Sequence, residues 1–236
     1  VSVAAGVRKE VELTLTAGRL VAAAALGNGE PITEQVQFVI EADDPDSPTG
    51  KREVMRTAAA RLEVTLPPGS YQVTARRGAA EARERLAVRA GEDTSRTIQI
   101  ALARVRLSSR LGIPSLANIS PVYRIERLDT TQRIVTRSGE GEPLIELNPG
   151  RYRIEARVGA QNAIAVREVE LKGGTESQLD LATGAGSIRL KLPGALGSLG
   201  FGEVFWQIRN ETGQTVWRTS QLEPLLVLAS GRYTAL

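Results

Sequence analysis

A short signature of glycine and tyrosine recurs along the chain at one fixed interval. It reads Pro68-Gly69-Ser70-Tyr71, then Pro149-Gly150-Arg151-Tyr152, then Ser230-Gly231-Arg232-Tyr233. Consecutive copies of its glycine are 81 residues apart both times. A period of this length exceeds that of solenoid repeats and is close to the size of one small β-sandwich. We therefore expect a tandem array of small domains, each with its own hydrophobic core.

Composition narrows the chemistry that the chain can perform. It contains neither cysteine nor histidine, which excludes disulfides, His/Cys zinc sites and Ser-His-Asp triads within the chain. The net charge is only +3 and aromatic residues make up 4% of the chain, so we expect no nucleic-acid partner. We expect no cofactor and no catalytic activity.

The chain offers no segment suited to crossing a membrane. No apolar run approaches the roughly 18 to 20 residues that a bilayer requires. The first nine residues, VSVAAGVRK, lack the basic start, apolar middle and cleavage site of a signal peptide. We therefore expect no direct membrane insertion.

Alternation of apolar and polar residues predicts strands along nearly the whole chain. The first repeat, residues 18–103, should hold seven strands: 20–26, 36–40, 54–56, 62–66, 71–75, 86–88 and a closing strand at 97–102. The second repeat, residues 104–185, shows the same order. The third, residues 186–236, reaches its tyrosine turn but not the last strands. Short joins such as residues 101–105 predict a semi-rigid, rod-like array.

Residues 1–17 are expected to be the terminal strands of a preceding repeat. Their Val11-Glu12-Leu13-Thr14-Leu15 matches the segments that close the first two repeats. An incomplete sandwich would leave ladder hydrogen bonds unmade, so we expect the chain to be part of something longer. In a second interpretation, the N-terminal tail of one molecule completes the third repeat of another by strand donation.

The recurring turn is expected to be structural. Proline fixes φ, and glycine can take the positive φ that a tight turn requires. The tyrosine ring should pack over the core edge, with its hydroxyl reaching backbone near the turn, as in a tyrosine corner. The residues of this motif are Pro68, Gly69, Tyr71, Pro149, Gly150, Tyr152, Gly231 and Tyr233.

The strand pattern and the turn motif together resemble those of bacterial immunoglobulin-like and transthyretin-like modules, including carboxypeptidase regulatory-like domains and collagen-adhesin B-type repeats. The residues that carry the resemblance are 66–71 with 88–91, and 147–152 with 169–173. The resemblance implies an all-β chain of tandem seven-stranded β-sandwiches. Adhesin repeats often form a Lys–Asn isopeptide bond assisted by a buried acid four residues after the tyrosine. Ala75 and Ala156 occupy those positions here, so no such cross-link is expected.

Two weak candidates for binding sites stand out. Asp43, Asp44 and Asp46 form the one acidic cluster and could offer carboxylate oxygens to calcium, although Asp and Pro are also common in exposed turns. Trp206 aligns with Phe38 and Tyr123 and is expected in the core. The face of Trp217 is less certain, which makes it the better candidate for an exposed contact with a sugar.

The sequence therefore favours a non-catalytic spacer or protein-interaction scaffold of a larger periplasmic or extracellular bacterial protein. Other protein domains or subunits are the expected partners. One alternative is a carbohydrate- or polymer-binding module, for which a polysaccharide would be the ligand. Another is a set of accessory domains beside an enzyme or a von Willebrand factor type A domain, whose Asp-x-Ser-x-Ser motif is not present here.

Overall fold

The structure is a computed structural model that describes residues 6, 8, 16–109, 119–130, 134–159, 162–192 and 204–236. Within these ranges the regular elements are nineteen β-strands and no helix occurs, which confirms the all-β prediction. The chain folds into two compact bodies. Body one comprises residues 1–77 and 81–100, and body two comprises residues 78–80 and 101–236. The predicted strand at Val11–Leu15 lies outside the described residues.

The first repeat contains seven strands in two sheets. They are β1 (Gly18–Leu26), β2 (Val36–Asp43), β3 (Lys51–Ala59), β4 (Arg61–Leu66), β5 (Gly69–Arg77), β6 (Ala80–Val88) and β7 (Asp93–Ile100). One sheet has the order β4-β1-β7 and the other β3-β2-β5-β6. β1 runs antiparallel to β4 and parallel to β7.

Period-two alternation places one face of each of these sheets inside. Leu20 of β1, Phe38 and Ile40 of β2, and Ile98 and Ile100 of β7 are all fully buried. Burying side chains of this size stabilises a fold by about 1.5 to 3 kcal/mol each. The first repeat therefore has a substantial apolar core.

The second repeat uses the same strand order. Its strands are β8 (Ala103–Ser108), β9 (Val122–Arg127), β10 (Ile134–Ser138), β11 (Leu144–Leu147), β12 (Gly150–Val158), β13 (Ala163–Leu171) and β14 (Glu176–Asp180). The sheets are β11-β8-β14 and β10-β9-β12-β13, and β8 is parallel to β14. One core cluster takes Val105 and Leu147 from the first sheet and Tyr123, Ile125 and Ile154 from the second. This shared interior makes the repeat a β-sandwich.

The third repeat reproduces the first five strands of this order. They are β15 (Ala185–Arg189), β16 (Trp206–Asn210), β17 (Thr215–Thr219), β18 (Leu225–Ala229) and β19 (Tyr233–Ala235). The sheets are β15-β18 and β17-β16-β19. A small core forms around Ile208, Leu226 and Leu228.

Several predicted strands are much longer in the structure; the strand expected at 54–56, for example, is β3 over Lys51–Ala59. Residues 86–88 and 169–171 were expected as short strands, whereas β6 begins at Ala80 and β13 at Ala163. Both are outermost strands of four-stranded sheets. In β6 the exposed positions include Arg83 and Arg85, and in β13 exposed Ile164 and Val166 stand beside exposed charged residues, so neither strand shows a regular apolar alternation along its length.

The described residues contain no helix with the length and hydropathy that a transmembrane span requires.

Candidate functional site

The tyrosine of each recurring turn makes the same hydrogen bond. Tyr71 Oη donates to the carbonyl of Pro67 at 2.9 Å, and Tyr152 Oη donates to that of Asn148 at 2.7 Å. Tyr233 Oη donates to the carbonyl of Ala229 at 2.9 Å. In each case the acceptor lies four residues earlier, either at the last residue of the preceding strand or directly after it. The ring thereby fastens the turn to the edge of the core while its polar atom remains satisfied.

The glycine of the motif does not act through one common backbone conformation. Gly150 has φ +152° and Gly231 has φ +159°, whereas Gly69 lies outside the positive-φ range. The expectation that positive φ explains the glycine is therefore wrong for Gly69. A Cβ at Gly69 would lie 3.5 Å from the Tyr71 ring, an ordinary contact. At Gly150 it would lie 2.7 Å from Asp129 Oδ2, where no side chain fits without a shift.

An arginine clamp closes the turn of the second repeat. Arg127 Nε donates to Asp129 Oδ1 at 2.6 Å, and Arg127 Nη2 donates to the Pro149 carbonyl at 3.1 Å. The guanidinium carbon lies 5.9 Å from the centroid of the Tyr152 ring. The hydrogen bond from Arg127 lowers the pKa of Asp129, and burial raises the pKa of Tyr152. No repeating pattern points to this clamp, since neither the first nor the third repeat has a comparable Arg-x-Asp at this loop.

Asn162 links the second repeat to the third within body two. It sits at the turn between β12 and β13, where its Nδ2 donates to Tyr233 Oη at 2.8 Å. Its Oδ1 accepts the backbone N–H of Ala229 at 3.0 Å. Beside it, Val158, Ala163 and Val227 form a buried apolar cluster. Periodicity could not reveal this residue, because a lone Asn in a turn usually has only a local role.

The acidic loop pairs with arginines. The carboxylate of Asp43 forms a salt bridge with Arg85, and Asp44 Oδ2 lies 3.5 Å from Arg52 Nε. Asp44 Oδ1 also accepts the backbone N–H of Asp46 at 3.1 Å, as in an ordinary Asx turn. In the part of the chain that the structure describes, no group of three or more acidic side chains is arranged to hold a metal ion. The geometry favours the exposed-turn interpretation over calcium.

Both tryptophans pack against the core of the third repeat. Trp206 and Trp217 are partly buried against the cluster of Ile208, Leu226 and Leu228. Trp206 Nε1 also donates to the Leu222 carbonyl at 3.3 Å. Trp217 is thus packed in part against the third-repeat core, and the rest of its side chain is accessible to solvent.

Basic side chains on the sheet surface of the first repeat are paired with acids. Arg76 and Arg83 lie 2.7 and 2.6 Å from the two oxygens of Glu81, and Arg96 lies 2.9 Å from Glu84. Burial favours a higher pKa for Glu81, but hydrogen bonds and charge from Arg76 and Arg83 outweigh it, and the pKa is lowered. Paired in this way, these arginines do not form a phosphate-binding stripe.

No family model and no curated protein matches the chain. Among solved structures, the Bacillus anthracis TIE protein is similar over 93% of this chain, at 17% identity and a TM-score of 0.29. The chain spans only 45% of that protein. A streptococcal ancillary pilin is similar over 93% of this chain and 86% of its own, at 11% identity and a TM-score of 0.34.

A third similar structure is the minor pilin GBS52 of Streptococcus agalactiae, at 12% identity and a TM-score of 0.34. It matches 70% of this chain and 94% of its own. At such TM-scores and identities, these likenesses carry no argument about what the chain does. Its role has to be inferred from its own geometry.

Proposed function

We propose that the chain is a non-catalytic structural spacer or protein-interaction scaffold of a larger secreted or envelope-associated bacterial protein. The recurrence of one strand order and one tyrosine turn at an 81-residue interval supports this role. Repetition of a whole folding unit adds length and stiffness, and it adds no convergent set of reactive groups. Other protein domains or subunits would be its partners.

The contacts at the edges of the repeats agree with a mechanical role. Tyr71, Tyr152 and Tyr233 each tie a turn to the strand before it, and Asn162 joins the second repeat to the third. Parallel pairing of β1 with β7 and of β8 with β14 connects the first and last strands of a repeat side by side. A pull on the two ends of such a repeat must shear a row of hydrogen bonds.

Force spectroscopy on the chain, tethered at both termini, tests the proposal. The first and second repeats should unfold in separate events, each releasing roughly 270 to 290 Å of chain for 81 residues at about 3.3 to 3.6 Å per residue. Val105→Ala provides a matched control, because it removes core contacts from the second repeat alone and should lower the force of one event. Unfolding at negligible force, or in one event for the whole chain, would contradict the proposal.

The alternative as a carbohydrate-binding module gains no support from the site. Its strongest residue, Trp217, packs against the third-repeat core. A glycan array probed with the purified chain would detect such binding, and we expect no signal.

A further inference from the structure

Strand β13 forms an outer edge of the four-stranded sheet in the second repeat. Within the described residues it pairs on one side only, with β12. Its counterpart in the first repeat is β6, the outer strand of the sheet β3-β2-β5-β6. The two strands align by their buried ends: Ala163 and Leu171 of β13 are 0% and 2% exposed, and so are Ala80 and Val88 of β6. The free backbone groups of such an edge can pair with a strand of another chain.

The two outer strands carry different side chains at matching solvent-facing positions. On β6 these positions hold Glu81 and Arg83, which form a salt bridge at 2.6 Å. On β13 they hold Ile164 and Val166, which are 38% and 41% exposed. Charged side chains on an edge strand oppose pairing with a second strand, because the contact would remove them from water. β6 carries this protection over the stretch where β13 has two apolar side chains.

The charged neighbours of these two side chains pair with each other. On the adjacent strand β12, Arg157 stands opposite Ile164, and Glu155 stands opposite Val166. Arg157 Nη2 lies 3.4 Å from Glu155 Oε1. Ile164 and Val166 therefore form an exposed apolar pair beside charges that already balance one another.

The residues of β13 suit antiparallel pairing of this strand with itself. With the pairing centred on Ala165, Ile164 of each copy stands opposite Val166 of the other. On the opposite face, Ala163 stands opposite Arg167. Side chains that stand directly opposite on one face of an antiparallel pair contact each other. This register gives two apolar pairs and places no charge against a like charge.

The neighbouring registers are less favourable. A pairing centred on Arg167 would set the two Arg167 side chains against each other and Ile164 against Glu170. A pairing centred on Ala163 would set Val166 opposite a residue outside the strand. Like charges directly opposite one another destabilise a strand pair. The charges of β13 thus select the register centred on Ala165.

We propose that β13 pairs antiparallel with β13 of a second copy of this chain, in the register centred on Ala165. The two four-stranded sheets then continue into each other across the contact. Main-chain hydrogen bonds supply the affinity, and Ile164 and Val166 fix the register. Because both copies use the same strand, the contact is isologous and closes at a dimer. This inference goes beyond the spacer role and does not depend on it.

Sedimentation velocity from about 1 μM to about 1 mM protein tests the proposal. The chain should show a concentration-dependent equilibrium between monomer and dimer. Val166→Lys should raise the dissociation constant at least about tenfold, because it places unpaired ammonium groups in the contact. Val122→Lys is the matched control and should dimerise like the parent. Val122 is 52% exposed on the same sheet, but it lies on β9, away from the β13 edge.

Three results of this experiment would overturn the proposal. They are a parent chain that stays monomeric over the whole range, equal effects of the two substitutions, and growth beyond a dimer.

Cysteine cross-linking tests the register independently. The chain has no cysteine of its own, so introduced thiols can react only with each other. Under mild oxidation, a mixture of the Ile164→Cys and Val166→Cys variants should form disulfide-linked dimers faster than either variant alone, because only the mixture places two thiols directly opposite. The corresponding mixture of Glu81→Cys and Arg83→Cys on β6 should show no such excess. Equal rates for the first mixture and its single variants would refute the register.

Discussion

The hydroxyl of Tyr152 donates a 2.7 Å hydrogen bond to the carbonyl oxygen of Asn148, four residues before it. Tyr71 and Tyr233 repeat this relationship with Pro67 and Ala229. The bond explains why tyrosine recurs where phenylalanine would fill the same space. The aromatic ring packs in the core, and the hydroxyl oxygen forms the hydrogen bond that holds the turn.

Tyr152→Phe should therefore destabilise the second repeat by about 1 to 2 kcal/mol, because the Asn148 carbonyl loses its partner while the ring is kept. Chemical denaturation followed by circular dichroism measures the change. Tyr152→Leu is the comparison, since it removes ring and hydroxyl together and should cost more. Equal stability of the Phe variant and the parent chain would show that the hydrogen bond is unimportant.

Leu20 and Ile188 occupy equivalent positions with different exposure, which gives a matched pair of substitutions. Leu20→Ala should destabilise the first repeat by about 2 to 5 kcal/mol through lost contacts and a residual cavity. Ile188→Ala, measured in dilute solution, should cost about 1 kcal/mol or less. Circular dichroism follows the unfolding of the first repeat, and tryptophan fluorescence follows the unfolding of the third repeat. Equal costs would mean that Ile188 is covered in the monomer.

Gly150 and Gly69 form a second matched pair. Gly150→Ala should destabilise the second repeat by about 1 kcal/mol or more, because the new methyl group meets the Asp129 carboxylate on a backbone that disfavours side chains. Gly69→Ala should change stability by no more than about 0.5 kcal/mol. Thermal unfolding of both variants checks the difference. Adding Asp129→Ala to Gly150→Ala separates the two causes, since it relieves the clash and leaves the backbone cost.

Tyr123 should make the second repeat sensitive to alkaline pH. Burial, with the charges of Glu142 and Asp180, raises the pKa of Tyr123 to about 12, above the value of about 10 for an unfolded chain. The folded state therefore holds this proton more tightly. Its contribution to stability is complete below pH 10 and is lost as the pH rises through 12.

The free energy of unfolding, measured from pH 9 to 12, should accordingly fall more steeply for the parent chain than for Tyr123→Phe. The Phe variant also loses the 2.9 Å hydrogen bond from Tyr123 Oη to the Gly141 carbonyl, so its curve should start lower and converge on that of the parent. Parallel curves across this range would refute the assignment.

Asn162→Ala should uncouple the third repeat from the second. The substitution removes the donor to Tyr233 Oη and the acceptor for the Ala229 N–H. We expect it to lower the free energy of unfolding of the third repeat by about 1 to 3 kcal/mol. Asn162→Asp keeps the acceptor and should cost less. Tryptophan fluorescence during denaturation reads the third repeat directly. An unchanged transition in the Ala variant would show that Asn162 carries no coupling.

The all-β class, the order of the strands and the repeating turn could be predicted from the sequence, because alternation of side chains between two faces is a local property with a period of two. Strand ends were harder to predict at β6 and β13, because polar and apolar residues do not alternate regularly along these outer strands. The Arg127 clamp and the Asn162 junction could not be foreseen. Each depends on residues from separate loops, whose proximity exists only after folding.

What the sequence determined on its own is the repeating unit: an 81-residue period, its alternating strands and the tyrosine that closes each turn. What only the tertiary structure decided is which residues of separate loops meet, as Arg127 does with the Pro149 carbonyl and Asn162 with Tyr233. The reason is physical: these partners are far apart or unrelated in the strand pattern, and only folding brings them within hydrogen-bonding distance.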